Sequence, residues 1–321
     1  MRTCRIPKSA LRVSRMAYGI GMLGLSWRHP DFIAKCVASI HTAFDCGITF
    51  FDTADVYAEG RSEAALGKVI HDSPSLRDTL IIQSKCGLHI HNGWTPQDPV
   101  RADSMSVDLS RHHIVKATEA SLKRLGTDRL DILLLHAPSP LVQPEEVAQA
   151  FENLSTSGKA LNFGVCMHSA TQIELLKKYV RQPLVINQIW LSLLHHTPLV
   201  MEESAFGSLV EYCRLQDIQV QAFSPLKGTD IFGSPSLLDP ASEVDPKLAS
   251  LSQSLGHIAE EHRATRAAVM LAWLLRHPCE IVPIVGASSS EHIVENCTAD
   301  RVDLSDAEWE LLLNLASRAN G

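Results

Sequence analysis

The sequence predicts an α/β fold, a (β/α)8 TIM barrel with an N-terminal β-hairpin, and three observations carry that expectation. Eight short apolar runs recur along the chain, most of them separated by helix-period patterns, which is the sequence form of repeated βα units and a parallel sheet. The chain has 321 residues, the length of one large barrel. Six of the runs stop on polar or small residues, and a barrel gathers the carboxyl ends of its strands around one mouth.

The first segment holds Arg2, Arg5, Lys8, Arg12 and Arg15 before the first acid at Asp31, a bias similar to that of a transit peptide. Ile6, Leu11, Val13 and Met16 nevertheless alternate with polar residues around a turn at 7–10, which favours an ordered hairpin. Strands are expected at 16–18, 48–51, 80–84, 132–135, 161–165, 184–187, 218–223 and 281–285. Between them, Phe32, Ile33, Cys36, Val37, Ile40 and Phe44 keep helical spacing after Pro30, and Gly47 ends the pattern. Ser110 caps a helix through Ile114, Val115, Leu122 and Leu125, stopped by Gly126. Ser169 and Gln172 form a capping box ahead of Ile173, Leu176 and Val180. A further apolar helix runs over 267–275 and closes at Pro278. Stretches near 89–109 and 226–247 are rich in Gly, Pro, Asp and Ser, and loops of that length often serve as lids or substrate-binding segments. With no repeat and no low-complexity tract, residues 1–321 read as a single domain.

Composition narrows the function. An apolar content of 45% with 20% charged residues is that of a folded globular chain. A formal net charge of -7 argues against a broad nucleic-acid or anionic-membrane surface, so neither partner is expected. The eight cysteines include no C-x-x-C pair, which suits reduced thiols and a cytoplasmic setting. No apolar run approaches the ~20 residues of a membrane span.

The strand ends carry the chemistry. Asp52 follows Phe50-Phe51, Lys85 follows the third run, and His136 follows Leu133-Leu134-Leu135, with Tyr57 close behind Asp52. A tyrosine hydroxyl, with a reference pKa near ~10, is a poor acid or base at neutral pH. A neighbouring ammonium pulls that value down, a carboxylate keeps the ammonium charged, and a neutral histidine orients a substrate oxygen. None of the four is an obvious covalent nucleophile, so proton transfer beside a cofactor's chemistry is the natural assignment. Taken singly, each has a plainer reading: Asp52 as a turn cap, Tyr57 and Phe223 as packing, Lys85 as a surface charge, His136 as a core histidine.

The segment Gly47-Ile-Thr-Phe-Phe-Asp-Thr-Ala-Asp-Val-Tyr57, continued by Gly60, Ser62, Glu63 and Leu66-Gly67, resembles the motif of the aldo-keto reductase family. Ser84-Lys85-Cys86, Ser121-Leu-Lys-Arg-Leu-Gly-Thr-Asp128, Asp131-Ile-Leu-Leu-Leu-His136, Gly158-Lys159, Asn187-Gln188, Phe223-Ser-Pro-Leu226 and Pro283-x-x-Gly286 through Glu295-Asn296 extend it in the family's order. The resemblance implies a barrel without a Rossmann domain, a nicotinamide held over its mouth, and reversible reduction of aldehydes or ketones to alcohols. It implies Tyr57 as proton donor, Lys85 and Asp52 as its tuning pair, and His136 as the group orienting the carbonyl. Around the cofactor it places Gly21, Asp52, Cys166, Met167, Gln188, Phe223, Ser224, Pro225, Leu226, Gly228, Gly286, Ser288, His292, Glu295 and Asn296. Trp27, Trp94 and Trp190 fall in or near mouth-side loops and are candidates for the substrate pocket. Cys166-Met167 stands where relatives commonly have Ser-Asn, and neither side chain reproduces those hydrogen bonds. His292 stands where many relatives have an arginine for the 2′-phosphate, with Ser288, Ser289 and Ser290 at a helix N-terminus beside it. NADPH is the expected cofactor, with NADH open.

Two other classes compete. A nicotinamide-binding regulatory subunit resembling potassium-channel β subunits would share the barrel with little turnover. A metal-dependent hydrolase would use His89-Ile-His91, but that pair lies after the third strand and lacks further strand-end ligands, so no catalytic metal is expected. His112-His113 and His195-His196 read as exposed, and Cys166 as an inert buried thiol.

Overall fold

The computed structural model describes residues 1–21, 29–91, 104–200, 208–226, 236–238 and 245–320. Its first element is the expected hairpin, β1 (Thr3–Arg5) antiparallel to β2 (Arg12–Ser14). The barrel strands follow as β3 (Ala17–Gly19), β4 (Phe50–Asp52) and β5 (Ile81–Cys86). A second hairpin, β6 (Leu88–Ile90) with β7 (Met105–Val107), interrupts them. β8 (Ile132–Leu135), β9 (Phe163–Cys166), β10 (Leu184–Trp190), β11 (Gln219–Phe223) and β12 (Val282–Val285) complete the set. All eight neighbour contacts are parallel, and β12 pairs with β3 to close the barrel.

The helices are α1 (Phe32–Asp45), α2 (Arg61–Asp72), α3 (Arg111–Leu125), α4 (Pro144–Thr156), α5 (Ala170–Lys177), α6 (Thr197–Val200), α7 (Leu209–Leu215), α8 (Ala249–Glu261), α9 (Arg266–Arg276), α10 (Ser290–Cys297) and α11 (Asp306–Asn320). The cap signals hold. Ser110 accepts the His113 amide at the start of α3, Gly126 ends that helix in the left-handed region, and Ser169 with Gln172 forms the capping box of α5. Among the described residues no helix is long and apolar enough to cross a membrane.

Period-two burial splits the core in two. Phe50, Ile132, Leu134, Ile186, Val282 and Ile284 fill the barrel interior together with Cys4, Ile6 and Val13 of the hairpin, so the basic N-terminal segment packs against the interior side chains. The alternate strand residues, such as Phe51, Leu133 and Val220, pack outward in one cluster with helical residues such as Ile40, Ile114 and Trp273.

Some boundaries moved. The sequence-expected strand at 161 begins at Phe163, because Leu161 is exposed and sits beyond the Leu130–Ala160 bridge. Strand β10 runs on to Trp190, so Gln188 lies within the sheet rather than after it. His113 and His195 are partly buried and His196 is buried, its ring bonded to Leu193 O and the Ser317 hydroxyl; none of the three is the exposed residue expected.

Candidate active site

Register alone brings the polar strand ends together. Asp52 pairs with Gln83 across β4 and β5, and Gln188 with Gln221 across β10 and β11. The ladder continues past the strands, where the Thr53 amide bonds to Gln83 O, the Asp55 amide to Lys85 O, and the His136 amide to Cys86 O. Three neighbouring strand ends thus hold Asp52, Lys85 and His136 at one mouth.

The Lys85 ammonium is buried and all three of its protons have acceptors. It donates to Asp52 Oδ2 at 2.7 Å, to Thr53 O at 2.9 Å and to the Tyr57 hydroxyl at 3.2 Å. Burial works against its charge, but Asp52 and the Tyr57 phenol outweigh that, and its pKa stands above the ordinary lysine value. Asp52 Oδ1 accepts from Gln83 Nε2 at 2.6 Å and from Gln188 Nε2 at 3.0 Å. Gln188 Nε2 also donates to Gln221 Oε1, and Gln221 Nε2 donates to Gln83 Oε1. The result is a buried layer of one carboxylate and three amides across the barrel, directly beneath the ammonium.

Tyr57 reaches this layer from a strained turn. After β4 the chain forms a 3-10 turn over Tyr57–Gly60 in which Ala58 and Glu59 take φ of 51° and 55°, a region that costs non-glycine residues about 1–3 kcal/mol each. Three contacts hold the turn in place. Glu63 accepts from the Ser84 hydroxyl and from Arg124 Nε, both at 2.6 Å, pinning the start of α2 to β5 and α3. Gly21 lies against the Tyr57 ring, and a Cβ there would stand 2.6 Å from Cε2. Burial pushes the phenol up to about 12, outweighing the downward pull of Lys85 that the sequence led us to expect. Tyr57 is therefore a protonated phenol. Because its oxygen accepts the lysine's hydrogen bond, its own O–H is directed elsewhere.

His136 meets the Tyr57 ring edge-on, with centroids 5.5 Å apart. Burial, with the Lys85 charge second, holds its pKa well below the usual histidine range, so the imidazole is neutral. Its Nδ1 is buried with no hydrogen-bond partner among the described residues.

Around this centre, Phe223 lies partly exposed opposite Trp190 in the register of β10 and β11. Trp190 stacks on His195 with centroids 3.8 Å apart, and its Nε1 is a second buried polar atom without a partner among the described residues. Met167 and Ser224 leave β9 and β11 with φ of 60° and 50°, two further strained residues at strand exits. Met167 is exposed, Pro225 is buried, and Leu226 packs on the outer core. Cys166 points its thiol at Gln188 Oε1 over 4.0 Å, and burial raises its pKa to about 12, so it is inert as expected. The His168 ring nitrogen Nδ1 is bonded to Cys166 O.

A third group of residues surrounds the N-terminus of α10. Gly286, Ser288 and His292 are exposed there, Glu295 is partly buried and Asn296 is buried. Tyr18 and Ser39 hydroxyls hold the connecting loop through Ala287 O and Ser288 O. Ser289 is engaged in capping the His292 amide. Trp27, Trp94 and Gly228 lie outside the described residues.

Gln83, Gln221 and the Thr53 carbonyl are the site groups that sequence reasoning passed over. The two glutamines were readable as polar residues two before Lys85 and two before Phe223. The carbonyl carries no signal in a side-chain pattern.

A mouth with a buried Asp–Lys–Tyr group on a closed parallel barrel defines a barrel oxidoreductase. The aldo/keto reductase family model matches residues 15–316, and the chain belongs to that family. It is 34% identical to "Uncharacterized oxidoreductase YcsN" of Bacillus subtilis over 93% of each chain. It is 33% identical to a 6-dehydroglucose reductase of Agrobacterium fabrum over 95% of each. Among solved structures, the thermostable aldo-keto reductase Tm1743 in complex with the inhibitor epalrestat matches with a TM-score of 0.76 and 26% identity, covering 98% of this chain and all of that one. The protein is thus an oxidoreductase of a family that uses nicotinamide cofactors. The residues at its mouth suit one: a partly exposed aromatic ring on Phe223 and orphaned polar atoms on His136 and Trp190.

Proposed function

We propose that the protein reduces aldehydes or ketones to alcohols, reversibly, at the expense of NADPH, with a small-molecule carbonyl compound as its substrate. A reduced nicotinamide supplies the hydride that the carbonyl carbon receives. Everything else falls to the chain. Tyr57 delivers its phenolic proton to the carbonyl oxygen, Lys85 stabilises the phenolate left behind, and Asp52 keeps the ammonium charged. His136, neutral and with an open ring nitrogen, orients that oxygen. Phe223, Cys166, Met167 and Gln188 would hold the nicotinamide ring, and Gln188 Oε1, contacted only by a weak thiol donor among the described residues, could accept from its carboxamide. Gly286, Ser288 and His292 at the α10 N-terminus suit the 2′-phosphate of NADPH, though without an arginine they discriminate it from NADH weakly. Trp190 and His195 form one wall of the substrate pocket.

The observation that carries this reading is the saturation of Lys85. With its three protons on Asp52, Thr53 and Tyr57, the ammonium fixes the phenol oxygen as acceptor and frees the phenol proton for a substrate. The test is consumption of NADPH, and separately of NADH, with a panel of aromatic, aliphatic and sugar-derived carbonyls that includes 6-dehydroglucose. Turnover with NADPH is expected. Tight nucleotide binding with no turnover anywhere on the panel would favour the regulatory reading instead.

A further inference from the structure

The rings of the His89-x-His91 pair stack with centroids 6.2 Å apart, but their polar contacts differ. On β6, His91 places Nε2 at 2.8 Å from the Ser106 hydroxyl of β7. The His89 ring also lies 4.4 Å from that of His113 in the first turn of α3. Asp108, just past β7, joins them, its Oδ1 held by the Ser110 amide at 2.9 Å. One donor atom from each of His89, Asp108 and His113 lies within 4.8 Å of the other two. His113 Nε2 is buried and has no hydrogen-bond partner among the described residues.

We propose that His89, Asp108 and His113 bind a divalent transition-metal ion of the zinc, cobalt or nickel class. Two imidazoles and a carboxylate suit such ions rather than magnesium or calcium, which take oxygen ligands. Metal–ligand bonds of about 2.0–2.2 Å require the three donors to close in by roughly an ångström, within reach of side-chain rotation. The Asp108 carboxylate already has the outer-shell hydrogen bond that orients a ligand. An imidazole nitrogen buried without a partner is unfavourable, and a metal bond would satisfy it. The ion ties both stems of the β6–β7 hairpin to α3, on the rim that follows Lys85 through Gly87. It shares no residue with the Asp52–Lys85–Tyr57 group and carries no step of the reduction.

The test uses the full-length protein, stripped with chelator and titrated with Co²⁺ by visible absorption and with Zn²⁺ by calorimetry. One ion per chain is expected, with a ligand-field band free of thiolate charge transfer. His113→Ala and His89→Ala should each weaken binding at least ~10-fold, given that loss of an outer-shell partner alone costs about that much, while His91→Ala leaves it unchanged. Should either variant fail to fold, the Cu²⁺-loaded wild-type protein gives the same information: pulsed electron paramagnetic resonance should report two equatorial imidazoles. No stoichiometric binding, a cobalt–thiolate band, or unchanged affinity in both folded variants would overturn the site.

Discussion

The proton inventory at Lys85 sets what each residue of the site can do. A phenol pushed up to about 12 is almost wholly protonated at neutral pH, which suits donation to a carbonyl and opposes abstraction from an alcohol. The two directions should therefore differ in pH dependence. Reduction under single-turnover conditions is expected to stay flat from pH 6 to pH 9, whereas alcohol oxidation should rise by up to ~10-fold per pH unit as the small phenolate fraction grows. Parallel profiles in stopped-flow traces would contradict the assignment. Asp55 offers a stability test at the same scale. Burial, with Glu63 second, pushes its carboxyl up to about 7, above an unfolded value near ~3.9. Between those values the folded chain holds a proton that the unfolded chain has lost, so stability from this group is present below about 4 and is lost as pH rises through about 7. Asp55→Asn is thus expected to raise the melting temperature at pH 8, by an amount that shrinks steadily on acidification toward pH 5. An equal gain at both ends would show that charge is not the cause.

Elements matter here mainly as devices for aiming side chains. The short β4 strand ends at Asp52, and the left-handed turn through Ala58, Glu59 and Gly60 folds Tyr57 back over Lys85 before α2 begins. Gly60 has φ of 85°, and a Cβ there would meet Arg124 Cδ at 2.6 Å, in the side chain that holds Glu63. Gly60→Ala should destabilise the fold by roughly 1–2 kcal/mol from the left-handed backbone alone, read as a shift in the urea midpoint. An unshifted midpoint would mean the turn is not under this constraint. Such local geometry was only partly legible. The helix caps at Ser110 and Ser169 were readable because each uses a hydroxyl three residues before its amide partner. The turn after Tyr57 was not, because nothing in Ala58-Glu59 announces positive φ. His196 was misread because its partner, Ser317, lies 121 residues away.

At the scale of the molecule, the barrel was legible because eight apolar runs recur among helix-period patterns, and their polar ends marked the mouth. Asp52, Lys85 and His136 were found by that reasoning alone, with Tyr57 drawn in by its nearness to Asp52. The sign of the Tyr57 shift was not, since burial and charge compete and their balance depends on distances a sequence does not hold. Nor did strand positions reveal that Gln83, Gln188 and Gln221 close into one buried amide layer under the Asp52 carboxylate, which long-range register creates. The central claim is that the Tyr57 hydroxyl, fixed by Lys85, supplies the proton in a nicotinamide-dependent carbonyl reduction. The most direct measurement compares wild-type protein with Tyr57→Phe, taking NADPH affinity from fluorescence quenching and kcat from the best carbonyl substrate. Nearly unchanged NADPH affinity and a kcat lower by ~10²–10⁴-fold are expected. A Tyr57→Phe protein that reduces the same substrate at the wild-type rate would contradict it.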